Sequence, residues 1–121
     1  MREILFRGKT KQGEWVYGLP FYTNEIIDGI ESKDGKLYYV IPETVGQFTG
    51  LTDKNGKKVF EGDIVQQEIT WRENQPQTWI VEYEYGGFIP FAEDPEQTDF
   101  MWDRPFEVIG NIHDNPELLE V

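Results

Sequence analysis

Cysteine is absent from the 121-residue sequence, and histidine occurs once, at His113. Without cysteine the chain has no disulfide framework, no cysteine-ligated metal and no thiol nucleophile. A single histidine has no second imidazole with which to share a metal, and such a residue more often packs or hydrogen-bonds at a turn than acts as a general base. The stability of the fold must therefore come from packing and strand pairing, which is compatible with a reducing, intracellular compartment.

Long apolar runs are also missing. No uninterrupted run approaches the roughly 20 residues that a helix needs to span a bilayer, and residues 1–7 have no apolar core of signal-peptide length. We therefore expect a cytoplasmic protein that does not associate with membranes.

Basic residues are scarce in the second half of the chain. The formal net charge is −12, and from residue 61 onward only Arg72 and Arg104 oppose fifteen Asp and Glu residues. This balance argues against direct nucleic-acid binding, because phosphate contacts depend on clustered Lys and Arg. A solvated acidic face is the simplest interpretation.

Two alternatives give this acidic face a function. They are a docking face for a basic partner and a mimic of nucleic-acid phosphate. The residues that we predict for a partner surface are Trp71, Glu82, Glu84, Asp94, Glu96, Asp99 and Asp103.

Residues 47–65 give the clearest local signal and predict three strands joined by two turns. Asp53 can bond the backbone two residues on, and both Asn55 and Gly56 tolerate the positive φ that closes a tight hairpin. Gly62 permits a sharp bend, and Asp63 can accept from local N–H groups before the next strand. We predict that these five residues form a structural turn motif.

The rest of the chain also reads as short strands with frequent Gly turns. Further predicted strands cover residues 3–7, 14–18, 36–41, 79–85 and 106–113. Residues 20–34 are ambiguous, with a hairpin expected at either Asp28-Gly29 or Asp34-Gly35. Residues 92–105 read as an acidic loop. Asn115 followed by Pro116 predicts a short C-terminal helical turn. Together these patterns predict a mainly β, single-domain protein over residues 1–121, with seven to nine antiparallel strands in a small, partly open, barrel-like sheet.

Three segments resemble the YopX family of phage and prophage proteins. They are residues 46–56, residues 60–65 (Phe-Glu-Gly-Asp-Ile-Val) and residues 108–119 (Val-Ile-Gly-Asn-Ile-His-Asp-Asn-Pro-Glu-Leu-Leu), with a further likeness in residues 1–18. The resemblance implies one YopX-like domain and a location in the cytoplasm of a bacterial host. It implies no biochemical activity, because none is assigned to the family.

Candidate catalytic residues have simpler structural explanations. Asp63 is a possible catalytic carboxylate, but a Gly-Asp pair entering a strand is a common turn device. The acids of residues 94–103 lack the central Gly and final Glu spacing of an EF-hand. Ser32, the only serine, has no Gly-x-Ser-x-Gly elbow around it, and phosphate-binding, dinucleotide and zinc-protease motifs are missing. We expect no cofactor and no metal.

We therefore expect a non-enzymatic accessory protein that acts through protein contacts and forms homo-oligomers, with host or phage proteins as further partners. Two alternatives remain open. One is an acidic decoy that occupies a host DNA-binding protein in place of DNA. The other is an enzyme of unrecognised type that uses Asp63 or the carboxylates of residues 94–103.

Overall fold

The structure is a computed structural model that describes residues 4–23, 25–68, 76–84, 87–91 and 104–119. The described residues form eleven short antiparallel strands and two 3₁₀ helices, Pro42–Thr44 and Pro116–Leu119. The predicted mainly β fold and the helical turn that begins at Pro116 are thus confirmed. The strands exceed the predicted seven to nine because several of them are only three residues long. By their contacts the chain divides into two compact units, residues 1–50 and residues 51–121.

The first unit is one antiparallel sheet in the order β4-β3-β2-β1-β5. Its strands are β1 (Phe6–Lys9), β2 (Trp15–Thr23), β3 (Ile26–Glu31), β4 (Leu37–Tyr39) and β5 (Gly46–Thr52). The boundary between the two units falls within β5, which begins in the first unit and ends in the second. The strands predicted over residues 3–7 and 14–18 are present as β1 and β2, which form a hairpin with Phe6 opposite Gly18 and Lys9 opposite Trp15.

The core of the first unit includes four buried apolar residues, Leu5, Ile30, Val40 and Phe48. Ile30 is fully buried and lies between Pro20 of β2 and Tyr38 of β4. Gly8 packs so closely on Val40 that a Cβ at this position would lie 2.8 Å from a Val40 methyl. The absence of a side chain at Gly8 is therefore what allows Val40 to fill this part of the core.

The second unit is built from shorter strands. They are β6 (Lys58–Phe60), β7 (Asp63–Glu68), β8 (Pro76–Ile80), β9 (Glu82–Glu84), β10 (Gly87–Ile89) and β11 (Glu107–Asn111). One sheet has the order β11-β7-β8, β9 pairs with β10, and β6 is next to β5. Its buried cluster consists of Val59, Val65, Val81, Phe88, Phe91 and Val108. These residues come from most of the strands, so burial of their apolar side chains joins the short elements into one core.

The structure decides between the two hairpin positions that the sequence prediction left open, and it corrects one predicted strand. Asp34-Gly35 forms the turn between β3 and β4, with φ of 84° at Gly35, whereas Asp28-Gly29 lies inside β3, where the β2–β3 register shifts. The single strand predicted over residues 79–85 is interrupted at Val81, which is fully buried and separates β8 from β9. The apolar side chain of Val81 is used in the core cluster rather than on a continuous strand face.

The described strands make antiparallel sheets, none of which closes into a barrel. No helix in the described part of the chain is both long and apolar enough to cross a membrane.

Candidate interaction surface

The predicted turn motif begins with Asp53, whose carboxylate accepts three backbone N–H groups. Its Oδ1 accepts from Asn55 and Lys57, both at 2.9 Å, and its Oδ2 accepts from Val108 of β11, also at 2.9 Å. Gly56, with φ of 79°, completes the turn by donating its N–H to the Asp53 carbonyl. One buried side chain thus shapes the β5–β6 turn and joins it to β11.

The pKa of Asp53 follows from these contacts. Burial raises the pKa of the carboxyl group, but the N–H donors of Val108, Lys57 and Asn55 and the positive charge of Lys57 outweigh that effect, so the pKa lies below its ordinary value. The ionised form is therefore the one that the folded protein stabilises.

Gly62 and Asp63 occupy the turn between β6 and β7. Gly62 has a φ of 93°, donates its N–H to the Val81 carbonyl and accepts from the N–H of Ile112. The Asp63 side chain is 1% exposed and accepts the N–H of Phe60 at 2.7 Å. These positions bring three separate segments of the second unit together. A purely structural role for the five turn residues stays a prediction.

The predicted acidic partner surface lies largely outside the described residues. This applies to Trp71, Asp94, Glu96, Asp99 and Asp103. Glu82 and Glu84 lie in β9, and the Glu82 side chain is exposed. His113 follows β11, is half-buried and donates its backbone N–H to Asn111 Oδ1 at 3.0 Å. No cluster of metal-ligating side chains is present within the described ranges.

The first unit presents an apolar sheet surface to solvent. Tyr17, Leu19 and Phe21 alternate along β2 and so point to the same side of the sheet. Leu37 and Tyr39 of β4 are placed on that side by their register through β3. We call these five residues the exposed face. Four of them are 46–70% exposed, with Tyr39 the highest at 70% and Leu37 at 63%.

A glycine in β3 organises the exposed face. Gly29 lies opposite Phe21 on one side and Tyr39 on the other. A Cβ at Gly29 would lie 1.9 Å from Phe21 Cζ, so the Phe21 ring occupies the space above the glycine. The rings of Phe21 and Tyr39 meet edge to face, with centroids 5.8 Å apart, an arrangement favoured by the quadrupoles of aromatic rings.

A cationic group lies beside this surface. Arg7 and Lys9 of β1 are opposite Tyr17 and Trp15 of β2, which places them on the same side of the sheet. The Arg7 guanidinium is 4.6 Å from the centroid of the Trp15 ring, and Lys9 Nζ is 5.9 Å from it. Both distances are within the range of cation–π attraction.

Comparison with known proteins identifies the family. A sequence model of the family described as YopX protein matches residues 5–120. The chain belongs to the YopX family. A solved structure, the crystal structure of protein EF1440 from Enterococcus faecalis, is similar to this chain with a TM-score of 0.67 and 26% sequence identity, over 99% of this chain and 100% of the other. A search of curated proteins gave no match.

The YopX resemblance inferred from the sequence is therefore confirmed, but the exposed face was not among the predicted partner residues. Its signal was present in the alternation of Trp15, Tyr17, Leu19 and Phe21. Such a period-two pattern shows that these side chains share a face. It does not show whether that face is turned to the core or to solvent, and this was the missing information.

Proposed function

We propose that this member of the YopX family is a phage or prophage accessory protein that acts in the cytoplasm of a bacterial host through protein contacts, including contacts with its own copies. The observation that carries the proposal is the exposed face. Tyr17, Leu19, Leu37 and Tyr39 are all exposed although they are large and apolar, and they lie together on one side of one sheet.

The size of the exposed face supports a contact role. With aromatic side chains covering about 150–250 Å² each, the exposed fractions of these side chains leave a patch on the order of 400 Å². Patches of roughly 300–600 Å² are the largest that typical monomers expose, and they are often functional. A standard interface buries about 800 Å² on each partner. The exposed face is thus large enough for the centre of an interface, with polar residues around it.

Self-association is tested by sedimentation velocity over a wide range of protein concentrations. We expect Tyr39→Ser to weaken association about tenfold, because Tyr39 is the most exposed residue of the face and truncation of an aromatic contact residue can remove much of the contact energy of an interface. Tyr22→Ser is the matched control. Tyr22 is 64% exposed and follows Phe21 directly, so its side chain points to the opposite side of the sheet. A wild-type protein that stays monomeric at every concentration would remove self-association from the proposal.

A second candidate function is a decoy for a host DNA-binding protein. Residues 51–121 hold sixteen Asp and Glu against five Lys and Arg, whereas residues 1–50 hold seven against six. Charge concentrated in this way is suited to attracting a basic partner.

The decoy is tested by capture of the tagged protein from an infected bacterial lysate with elution by a salt gradient. Release of a discrete DNA-binding protein at modest salt is the expected result for a decoy, since phosphate-like contacts weaken steeply with ionic strength. Recovery of only the protein itself or of phage components favours the first proposal.

A further inference from the structure

Within the described residues, β8 has no neighbouring strand on one of its two sides. It is the last strand in the order β11-β7-β8. The N–H of Val81 donates to the Asp63 carbonyl at 2.8 Å. Antiparallel strands alternate between hydrogen-bonded and non-hydrogen-bonded pairs, so in the register of β7 and β8 the backbone groups of Trp79 and Gln77 face β7. Those of Thr78 and Ile80 face away from it, and within the described residues no group bonds to them.

A pocket includes residues of β8 in its lining. It has a volume of about 360 Å³, and its lining includes Thr78, Ile80, Glu82, Ile89, Pro90 and Leu119. The lining thus includes residues on both sides of Val81, from β8 and from β9. Known ligand pockets span roughly 300–1,000 Å³, so this one can hold one or two side chains of a polypeptide.

The pocket combines apolar walls with one carboxylate. Ile80, Ile89 and Leu119 supply apolar surface, while the Glu82 side chain is exposed and its carboxylate has no hydrogen-bond partner in the described part of the chain. A carboxylate beside an apolar wall suits a side chain with an aliphatic stem and a cationic end, as in lysine and arginine. The excess of acidic residues in residues 51–121 adds a long-range attraction for the same charge.

We propose that the edge of β8 and its pocket bind an extended segment of a partner protein, which adds to β8 as a further strand and places a lysine or arginine side chain beside Glu82. Backbone donors and acceptors in a row on a sheet edge are complementary to another extended polypeptide. A small molecule or a nucleic acid offers no matching series of N–H and C=O groups. The acidic surroundings also repel phosphate.

This inference extends the proposed function from the exposed face of the first unit to a separate surface in the second unit. The two are tested by different variants and different measurements. A negative result for one of these two surfaces therefore does not affect the proposal for the other.

The binding test uses the whole ¹⁵N-labelled protein and a blocked pentapeptide of alternating valine and lysine. We expect the amide signals of Thr78 and Ile80 to shift on titration and their hydrogen exchange to slow, because the added strand bonds to these groups. The dissociation constant of so short a peptide should be on the order of 0.1–1 mM, since ordering of a flexible chain opposes binding. A peptide with glutamate in place of lysine should not bind.

Thr78→Pro tests the strand addition directly. The outward N–H of Thr78 is not used in the β7–β8 ladder, and proline is tolerated at such edge positions. The variant should therefore fold, as judged by its thermal melt, and bind the peptide at least tenfold more weakly. Thr78→Val retains the N–H group and is the matched control, with binding close to that of the wild type.

Glu82→Gln tests the charge. Because Glu82 is exposed, this substitution should leave the fold intact. It should weaken binding of the lysine peptide about threefold or more and reduce the salt dependence of that binding.

Several results would overturn the proposal. They are the absence of amide shifts at 2 mM peptide, equal binding by the glutamate peptide, and shifts confined to residues other than Thr78 and Ile80. Unchanged binding by a folded Thr78→Pro variant would do the same. If that variant does not fold, the same test is made with the wild-type protein and a peptide whose backbone amides are N-methylated. If this peptide binds as tightly as the unmethylated one, the proposal is overturned.

Discussion

At the scale of single residues, Asp53 has more hydrogen bonds than its place in a turn requires. Two of its three N–H donors, Asn55 and Lys57, belong to the turn itself, but the third belongs to Val108. The local part of this arrangement is what the Asp-x-Asn-Gly pattern predicts. The third bond joins residues 55 positions apart, and no local pattern contains that information.

We expect Asp53→Ala to lower the free energy of unfolding by about 3 kcal/mol, because it leaves buried N–H groups without an acceptor. Asp53→Asn should cost about 2 kcal/mol, since its amide N–H₂ group would face one of the N–H donors. Urea unfolding at neutral pH measures both values. Asp34→Asn is the control, because Asp34 accepts from Ser32 and Lys36 in an exposed turn, and its loss should change stability little.

The pH dependence of stability has a definite sign at Asp53. The pKa of its carboxyl group is lower in the folded protein than in the unfolded chain, where it is about 3.9. Its contribution is therefore complete well above pH 4 and is lost as the pH falls through the lower, folded value. The stability difference between wild type and Asp53→Asn should shrink below about pH 4. A difference that is constant from pH 7 to pH 3 would contradict this assignment.

At the scale of strands and hairpins, the exposed face depends on the absence of a side chain at Gly29, which leaves room for the Phe21 ring. In Gly29→Ala the new methyl group would displace the Phe21 ring and remove its edge contact with Tyr39. We expect a loss of about 1 kcal/mol in stability together with weaker self-association in sedimentation velocity. Gly35→Ala is the control: it strains the β3–β4 turn at φ of 84° with open space around it. It should cost a similar amount of stability and leave association unchanged.

Strands and turns with strong local signals could be predicted from the sequence. The Asp53–Gly56 turn, the β1–β2 hairpin and β11 all carry residues whose own conformational preferences favour the observed structure. The β2–β3 hairpin could not be typed, because its register shift is set by pairing across the sheet. The break at Val81 was missed for a related reason. Apolar residues alternate with Glu82 and Glu84 in residues 79–85 and so predict one strand, but burial of Val81 in the core cluster overrides this pattern. Prediction of the exposed face from the sequence would have required knowledge of which side of the sheet is covered by other parts of the protein.

At the scale of the whole molecule, the sequence predicts one domain, and the contacts divide the chain into two compact units that share β5. A strand that continues from one unit to the other favours cooperative unfolding. We expect the amide signals of Ile30 in the first unit and Val65 in the second to disappear at the same urea concentration. In Asp53→Ala both midpoints should move together. A shift of the Val65 midpoint alone would show that the two units unfold independently.

The bond between Asp53 and Val108 has a consequence for synthesis of the protein. A ribosome adds about 5–20 residues per second, so Val108 is added several seconds after Asp53. During that interval the β5–β6 turn has only its local donors, and Val108, a member of the core cluster of the second unit, has not yet been made. The strands of residues 1–50 can pair early in the nascent chain. The second unit cannot form all of its strand pairs until β11 has been synthesised and has left the ribosome. Binding of the nascent chain to chaperones should therefore be greatest while residues 51–107 are being translated.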